Sequence, residues 1–126
     1  MKTYYIEQYV SAWKKRLELE REKEKVLARK ALDTAYYLTK VLVDKYEVKR
    51  VYLFGSLALY LKGLKVFKLT SDIDLAVEPI PKDKYFHILA EINRLSEFEV
   101  DIIDLKDCPE TLKDSILRNG VILYEE

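Results

Sequence analysis

The chain has 126 residues, 49% hydrophobic and 35% charged, a composition expected of one soluble globular domain with a single core. Lysine plus arginine and aspartate plus glutamate number 22 each, and the resulting zero net charge argues against a dedicated nucleic-acid binder, which needs a basic field. No apolar run reaches membrane-spanning length, no secretory leader pattern opens the chain, and the single cysteine, Cys108, excludes an intrachain disulfide and fits a cytoplasmic location.

The first glycine is Gly55 and the first proline Pro79, so nothing before them obliges a helix to stop. Ile6, Val10, Trp13 and Leu17 recur at helical spacing, as do Leu27, Ala31, Thr34, Leu38 and Leu42. Between these stretches, opposite charges fall three or four apart, as in Lys14–Glu18, Arg16–Glu20 and Glu22–Lys25, which supports a solvated helix. A continuous helix of about forty residues spans about 60 Å. The radius of gyration of a domain this size is only about 14 Å. The N-terminal segment therefore folds back or projects. The second stretch is expected on a sheet. The first, with Tyr4, Tyr5, Tyr9 and Trp13, is open to a partner protein or to homo-oligomer formation. The chain thus divides into an N-terminal helical arm over 1–46 and a domain over 47–126, one compact unit overall.

Val51–Phe54 reads as a buried strand, Leu57–Leu61 as a short helix and Lys62–Thr70 as a loop carrying Lys62, Lys65 and Lys68. Ile73–Val77 is a strand closed off by Pro79 and Pro81. Asp83–Leu95 is helical with Tyr85, Ile88, Leu89, Ile92 and Leu95 inward, which leaves His87, Glu91 and Arg94 on an exposed face. Phe98–Asp104 is a strand, Pro109–Arg118 a helix and Val121–Tyr124 a last strand, with Gly120 at the helix C-terminus where a glycine is favoured. Interleaved helices and strands indicate the α/β (α+β) class, a small mixed sheet with a long N-terminal helical segment.

Three segments carry chemistry. Gly55-Ser56 ends the first strand, Ser71-Asp72-Ile73-Asp74-Leu75 opens the second, and Val100-Asp101 opens the third. Alternate strand residues share a face, so Asp72 and Asp74 point the same way, and a neighbouring third strand brings Asp101 to them. Three like charges on one face are a poor structural device but suit divalent ions. Mg²⁺ prefers a few carboxylates plus phosphate oxygens to a closed protein cage. A Gly-Ser turn offers N–H groups to phosphates, and glycine lets the backbone approach them. Glu99 and Asp104 compete for the third carboxylate position and read as surface acids. His87 is the sole histidine, which argues against a histidine zinc site or a Ser-His-Asp triad. Cys108 has no histidine partner nearby in sequence and reads as unreactive.

On these motifs, Val51 to Leu105 resembles the nucleotidyltransferase domain of the DNA polymerase beta superfamily, and more narrowly the minimal nucleotidyltransferase (MNT) proteins; the ending Gly120-Val121-Ile122-Leu123-Tyr124 is similar as well. The resemblance implies a nucleotidyltransferase domain over 47–126. It implies two Mg²⁺ ions on Asp72, Asp74 and Asp101, ATP as substrate with its β- and γ-phosphates on Gly55 and Ser56, and AMP transfer to a hydroxyl. Asp101 would help take the proton from that hydroxyl. MNT proteins pair with a small helical HEPN toxin, so the resemblance implies an antitoxin that attaches AMP to a toxin tyrosine, blocks the toxin by binding, or both. The family motif often continues Ala-Arg-Gly after the serine and its neighbour. Here Ala58 matches, whereas Leu59 replaces the arginine and Tyr60 the glycine. Lys62, Lys65 or Lys68 is the available substitute. The alternatives are a non-catalytic module that neutralises its partner sterically and a small-molecule nucleotidyltransferase, which would need a second copy to wall its substrate.

Overall fold

The computed structural model describes residues 6–68 and 71–126 of the chain. Tyr4 and Tyr5, expected on the exposed face of the first helix, lie outside the described residues, as do Leu69 and Thr70 of the lysine-bearing loop. The order of elements is α1 (Ile6–Tyr46), β1 (Arg50–Phe54), α2 (Gly55–Leu61), β2 (Ile73–Glu78), α3 (Tyr85–Arg94), β3 (Val100–Asp104), α4 (Glu110–Asn119) and β4 (Val121–Glu125), with one 3-10 turn at Lys82–Lys84 before α3. The fold is the expected mixed α+β arrangement with a long N-terminal helix.

Both amphipathic stretches and the charged segment between them form a single helix of 41 residues. The helix does not fold back. It ends at Glu47, whose backbone turns left-handed (φ 56°). Its second half buries Ala28, Ala31, Ala35, Leu38 and Leu42 against the sheet. Its first half contributes nothing to the described core, so it projects. Among the described residues no helix is long and apolar enough to cross a membrane.

The four strands run in the order β3-β2-β1-β4. β2 and β3 are parallel and joined by α3, whereas β1 pairs antiparallel with both β2 and β4. Strand alternation separates two faces. Val51, Leu53, Ile73, Leu75, Val77, Val100 and Ile102 face α1 and α3 in the larger core cluster. Tyr52, Ala76, Leu105 and Ile116 form a smaller cluster on the α4 side, with Phe54, Ile103 and Cys108 packed against it.

Several expectations are corrected. Glu91 is buried rather than exposed, with 7% of its surface accessible. It accepts hydrogen bonds from the Lys45 ammonium and the Tyr46 hydroxyl and lies 3.9 Å from Arg94, so it ties the end of α1 to α3. His87 on the same helix is exposed as expected. Leu95, expected inward, is 38% exposed because α3 has ended one residue earlier. Gly120 follows α4, but its backbone is extended (φ −75°, ψ 167°), not left-handed. Its reason is space: a Cβ there would meet the Ile116 carbonyl oxygen at 2.5 Å and that of Leu53 at 3.1 Å. Phe67, in the segment read as a loop carrying Lys62, Lys65 and Lys68, is fully buried between the rings of Tyr60 and Phe98.

Candidate active site

The site lies on the α4 side of the sheet, at the end where β1 runs into α2. Asp74 is opposite Phe54 in the β1–β2 ladder and opposite Asp101 in the parallel β2–β3 ladder. Strand parity therefore puts Asp74 and Asp101 side by side on one face, the face that also carries Ala76. Asp72 is one residue before β2. Its neighbour Ser71 is held by two hydrogen bonds: the Ser71 N–H donates to the Lys68 carbonyl at 2.9 Å, and the Lys68 N–H donates to the Ser71 hydroxyl at 3.0 Å. The serine of the motif thus anchors the residue before Asp72 to Lys68, a role not anticipated from the sequence.

Gly55 shows why the first motif requires glycine. Its backbone is left-handed (φ 73°), and a Cβ built there would stand 2.1 Å from Asp74 Oδ2. The carboxylate of Asp74 therefore rests directly on the Gly55 backbone, in space that any other residue would occupy. Ser56 follows in the first turn of α2, and no side chain caps that helix.

Electrostatics mark Asp74 as the centre of the group. Burial first, then the charges of Asp101 and Asp72, push its carboxyl up from 3.8 to about 6, while Lys65 opposes the shift. Asp74 thus lies in the field of both other carboxylates. Asp72, Asp74 and Asp101 are the hard-oxygen donors that a divalent ion would need to draw together, and such an ion would relieve the repulsion. As the side chains stand, no three Asp, Glu, His or Cys groups among the described residues are gathered closely enough to hold a metal ion already.

Asp104 and Glu99 are the competing acids. Asp104 Oδ1 accepts the Lys106 N–H at 3.0 Å and closes a turn at the end of β3. Glu99 is exposed before β3, and its backbone carbonyl accepts the Ile73 N–H at 2.9 Å. Of the loop lysines, Lys62 donates to the Asn119 carbonyl at the end of α4, while Lys65 places its charge toward Asp74. Beside Gly55 a cleft of ≈ 240 Å³ runs between α2 and α4, with Ala58, Leu59, Leu112 and Ile116 as apolar walls and Ser115 and Asn119 as polar groups. The α4 residues of this cleft were not anticipated, although the spacing of Leu112 and Ile116 along a helix was a usable signal.

Residues 37–126 match the family described as "Polymerase beta, Nucleotidyltransferase". The chain belongs to that family. All of Gly55, Ser56, Asp72, Asp74 and Asp101 fall inside the matched nucleotidyltransferase region. No curated protein matches the chain. Solved structures share its nucleotidyltransferase fold. One is a toxin–antitoxin complex with AMP-PNP, at TM-score 0.55 and 22% identity, covering 75% of this chain and 73% of that one. Another is a mutant of the toxin–antitoxin complex MntA–HpeT, at TM-score 0.58 and 20% identity over 71% of each chain. A third is a tri-AMPylated HEPN toxin of Shewanella oneidensis in complex with its MNT antitoxin, at TM-score 0.54 and 19% identity, covering 79% of this chain and 73% of that one. At these identities the likeness concerns the fold.

Proposed function

We propose that this nucleotidyltransferase is a Mg²⁺-dependent enzyme that transfers AMP from ATP to a hydroxyl, a tyrosine of a HEPN-type helical toxin, and so acts as an antitoxin. The observation that carries the reading is Asp74 seated on Gly55, in register with Asp101 and within the field of Asp72. It joins the proposed metal-binding carboxylates to the proposed phosphate turn. The family match and the folds shared with toxin–antitoxin complexes support the partner. A cytoplasmic location accords with the single free thiol of Cys108.

In the proposed reaction the acceptor oxygen bonds to the α-phosphorus, the bond from that phosphorus to the bridging oxygen breaks, and pyrophosphate leaves. Asp101 takes the proton of the attacking hydroxyl. Gly55 and Ser56 donate N–H and hydroxyl hydrogen bonds to the β- and γ-phosphates. Asp72, Asp74 and Asp101 hold two Mg²⁺ ions, which when bound neutralise phosphate charge and align the reacting groups. Lys65 supplies cationic charge near the carboxylates where the family motif carries an arginine and this chain has Leu59.

The test is incubation with labelled ATP and Mg²⁺, with and without the helical partner, followed by intact-mass analysis of both proteins. The expected result is addition of one or more AMP units to the partner, abolished in Asp72→Asn/Asp74→Asn. Leu59 favours a second reading, steric neutralisation. In that case a stable complex forms with no mass change, and the double variant still neutralises the toxin.

A further inference from the structure

The projecting half of α1 continues the face that the other half buries. Ala28, Ala31, Ala35, Leu38 and Leu42 pack on the sheet at alternating three- and four-residue steps. Three- and four-residue steps run backward through Glu24, Arg21, Leu17, Trp13 and Val10, with two four-residue steps meeting at Leu17, where the sheet has ended. Trp13 is 55% exposed, Val10 41% and Tyr9, at the margin of this face, 75%. Val10, Trp13 and Leu17 give this face the apolar side chains that a helix–helix seam uses, and Arg21 and Glu24 continue it with charge.

Charge distribution decides the occupant. Lys14, Lys15 and Arg16 form a basic block, and in the segment that follows Glu18, Glu20, Glu22 and Glu24 outnumber the interleaved Arg21 and Lys23. Among the described residues, the ion pair within this half is Lys25–Glu22 at 3.5 Å, which leaves the charges beside the seam available. Parallel pairing of two copies would set basic block on basic block. Antiparallel pairing about Leu17 sets each basic block on the acidic segment of the other copy, twice over.

We propose that the projecting half of α1 is a two-fold antiparallel interface with a second copy of this chain, centred on Leu17. At the centre Leu17 meets its own counterpart. One step outward Trp13 lies against Arg21 of the second copy, a guanidinium on an indole face, and this contact occurs twice by symmetry. On the two flanks Lys14 falls beside Glu18 of the second copy and Arg16 beside Glu20. The overlap runs from Val10 to Glu24 and stops short of Ala28, where α1 meets the sheet, so the second helix fits within the projecting length. This interface is independent of the catalytic reading.

Sedimentation velocity over a concentration series tests it, with Trp13 as an internal reporter because it is the only tryptophan. The expected result is a doubling of mass accompanied by a shift of tryptophan emission to shorter wavelength. Lys14→Glu/Arg16→Glu and Glu18→Lys/Glu20→Lys are each expected to be monomeric, and their equimolar mixture is expected to dimerise, since every flanking pair is then opposite in charge. Leu17→Lys breaks the wild-type dimer while leaving thermal unfolding of the sheet unchanged, which separates loss of the interface from loss of fold. A wild-type chain that stays monomeric, or that joins only a different protein, overturns the proposal. So does a dimer that survives both charge reversals, or a mixture of the two variants that remains monomeric.

Discussion

Gly55 and Asp74 are interdependent through one close approach. A methyl group at position 55 must displace the Asp74 carboxylate and also hold a left-handed backbone, which costs a non-glycine residue about 1–3 kcal/mol. Gly55→Ala is therefore expected to lower the proposed AMP transfer by at least about 100-fold and to lower the unfolding midpoint, measured by transfer assay and thermal denaturation of one preparation. Asp74 carries the opposite stability sign. Its folded pKa of about 6 exceeds the ordinary 3.8, so the folded state binds more protons in the window between them. Stability is full below that window and falls as pH rises through it. Asp74→Asn is expected to raise the midpoint at pH 7–8 in chelator, with the gain shrinking between about pH 6 and 4. Added Mg²⁺ is expected to stabilise the wild type but not Asp74→Asn. An Asp74→Asn midpoint that stays at or below wild type across this range would contradict the electrostatic reading.

Short side-chain links position the elements around the site. Asn93 on α3 donates to the Val100 carbonyl and accepts the Val100 N–H, both at 2.9 Å. It thereby pins the start of β3, the residue before Asp101. Tyr85 donates to the Ile102 carbonyl at 2.5 Å and adds a second fastening between the same elements. Glu91 links the other end of the assembly. Hydrogen bonds from Lys45 and then Tyr46 hold its carboxyl below the usual range, and burial together with the bond to Glu91 pushes the Tyr46 hydroxyl up to about 12. A carboxylate with a lowered folded pKa contributes stability above its unfolded pKa and loses it as pH falls through the folded one. Glu91→Gln is thus expected to lower the midpoint at pH 7, with the deficit closing in acid. Melting curves at neutral and acidic pH check it, and a deficit that does not change with pH would mean the link is not ionic.

The molecule consists of a two-sided sheet with a helix that extends well past it. The larger core lies between the sheet and α1 and α3, and the smaller one under α4 supports the sheet on the face that carries Asp74. Because the described core begins at Ala28, a chain lacking residues 1–24 is expected to keep the thermal midpoint of the full chain within a few degrees. Differential scanning calorimetry of both forms measures this. A large fall would show that the projecting half stabilises the sheet, either directly or through its pairing.

The sequence by itself determined most of the element order, the mixed α+β class and the three motif positions. Periodicity, Gly-Ser and Asp-x-Asp are local signals, and local signals need only the chain's own geometry. It also showed that a helix through residue 46 was unbroken by glycine or proline. What it could not show were the pairings. The parallel register that sets Asp74 beside Asp101 is a relation between strands separated by α3. The clash that makes Gly55 necessary comes from a side chain on another strand. Glu91 lies on the helix side that the pattern marked as exposed, and only the end of α1, arriving with Lys45 and Tyr46, makes that position a buried one. Gly120 stands after α4 as expected, but with an extended backbone, and close contact with the carbonyl oxygens of Ile116 and of Leu53 on β1 is what requires a glycine there. Long-range contact depends on which surfaces the whole chain brings together, and no window of sequence contains that.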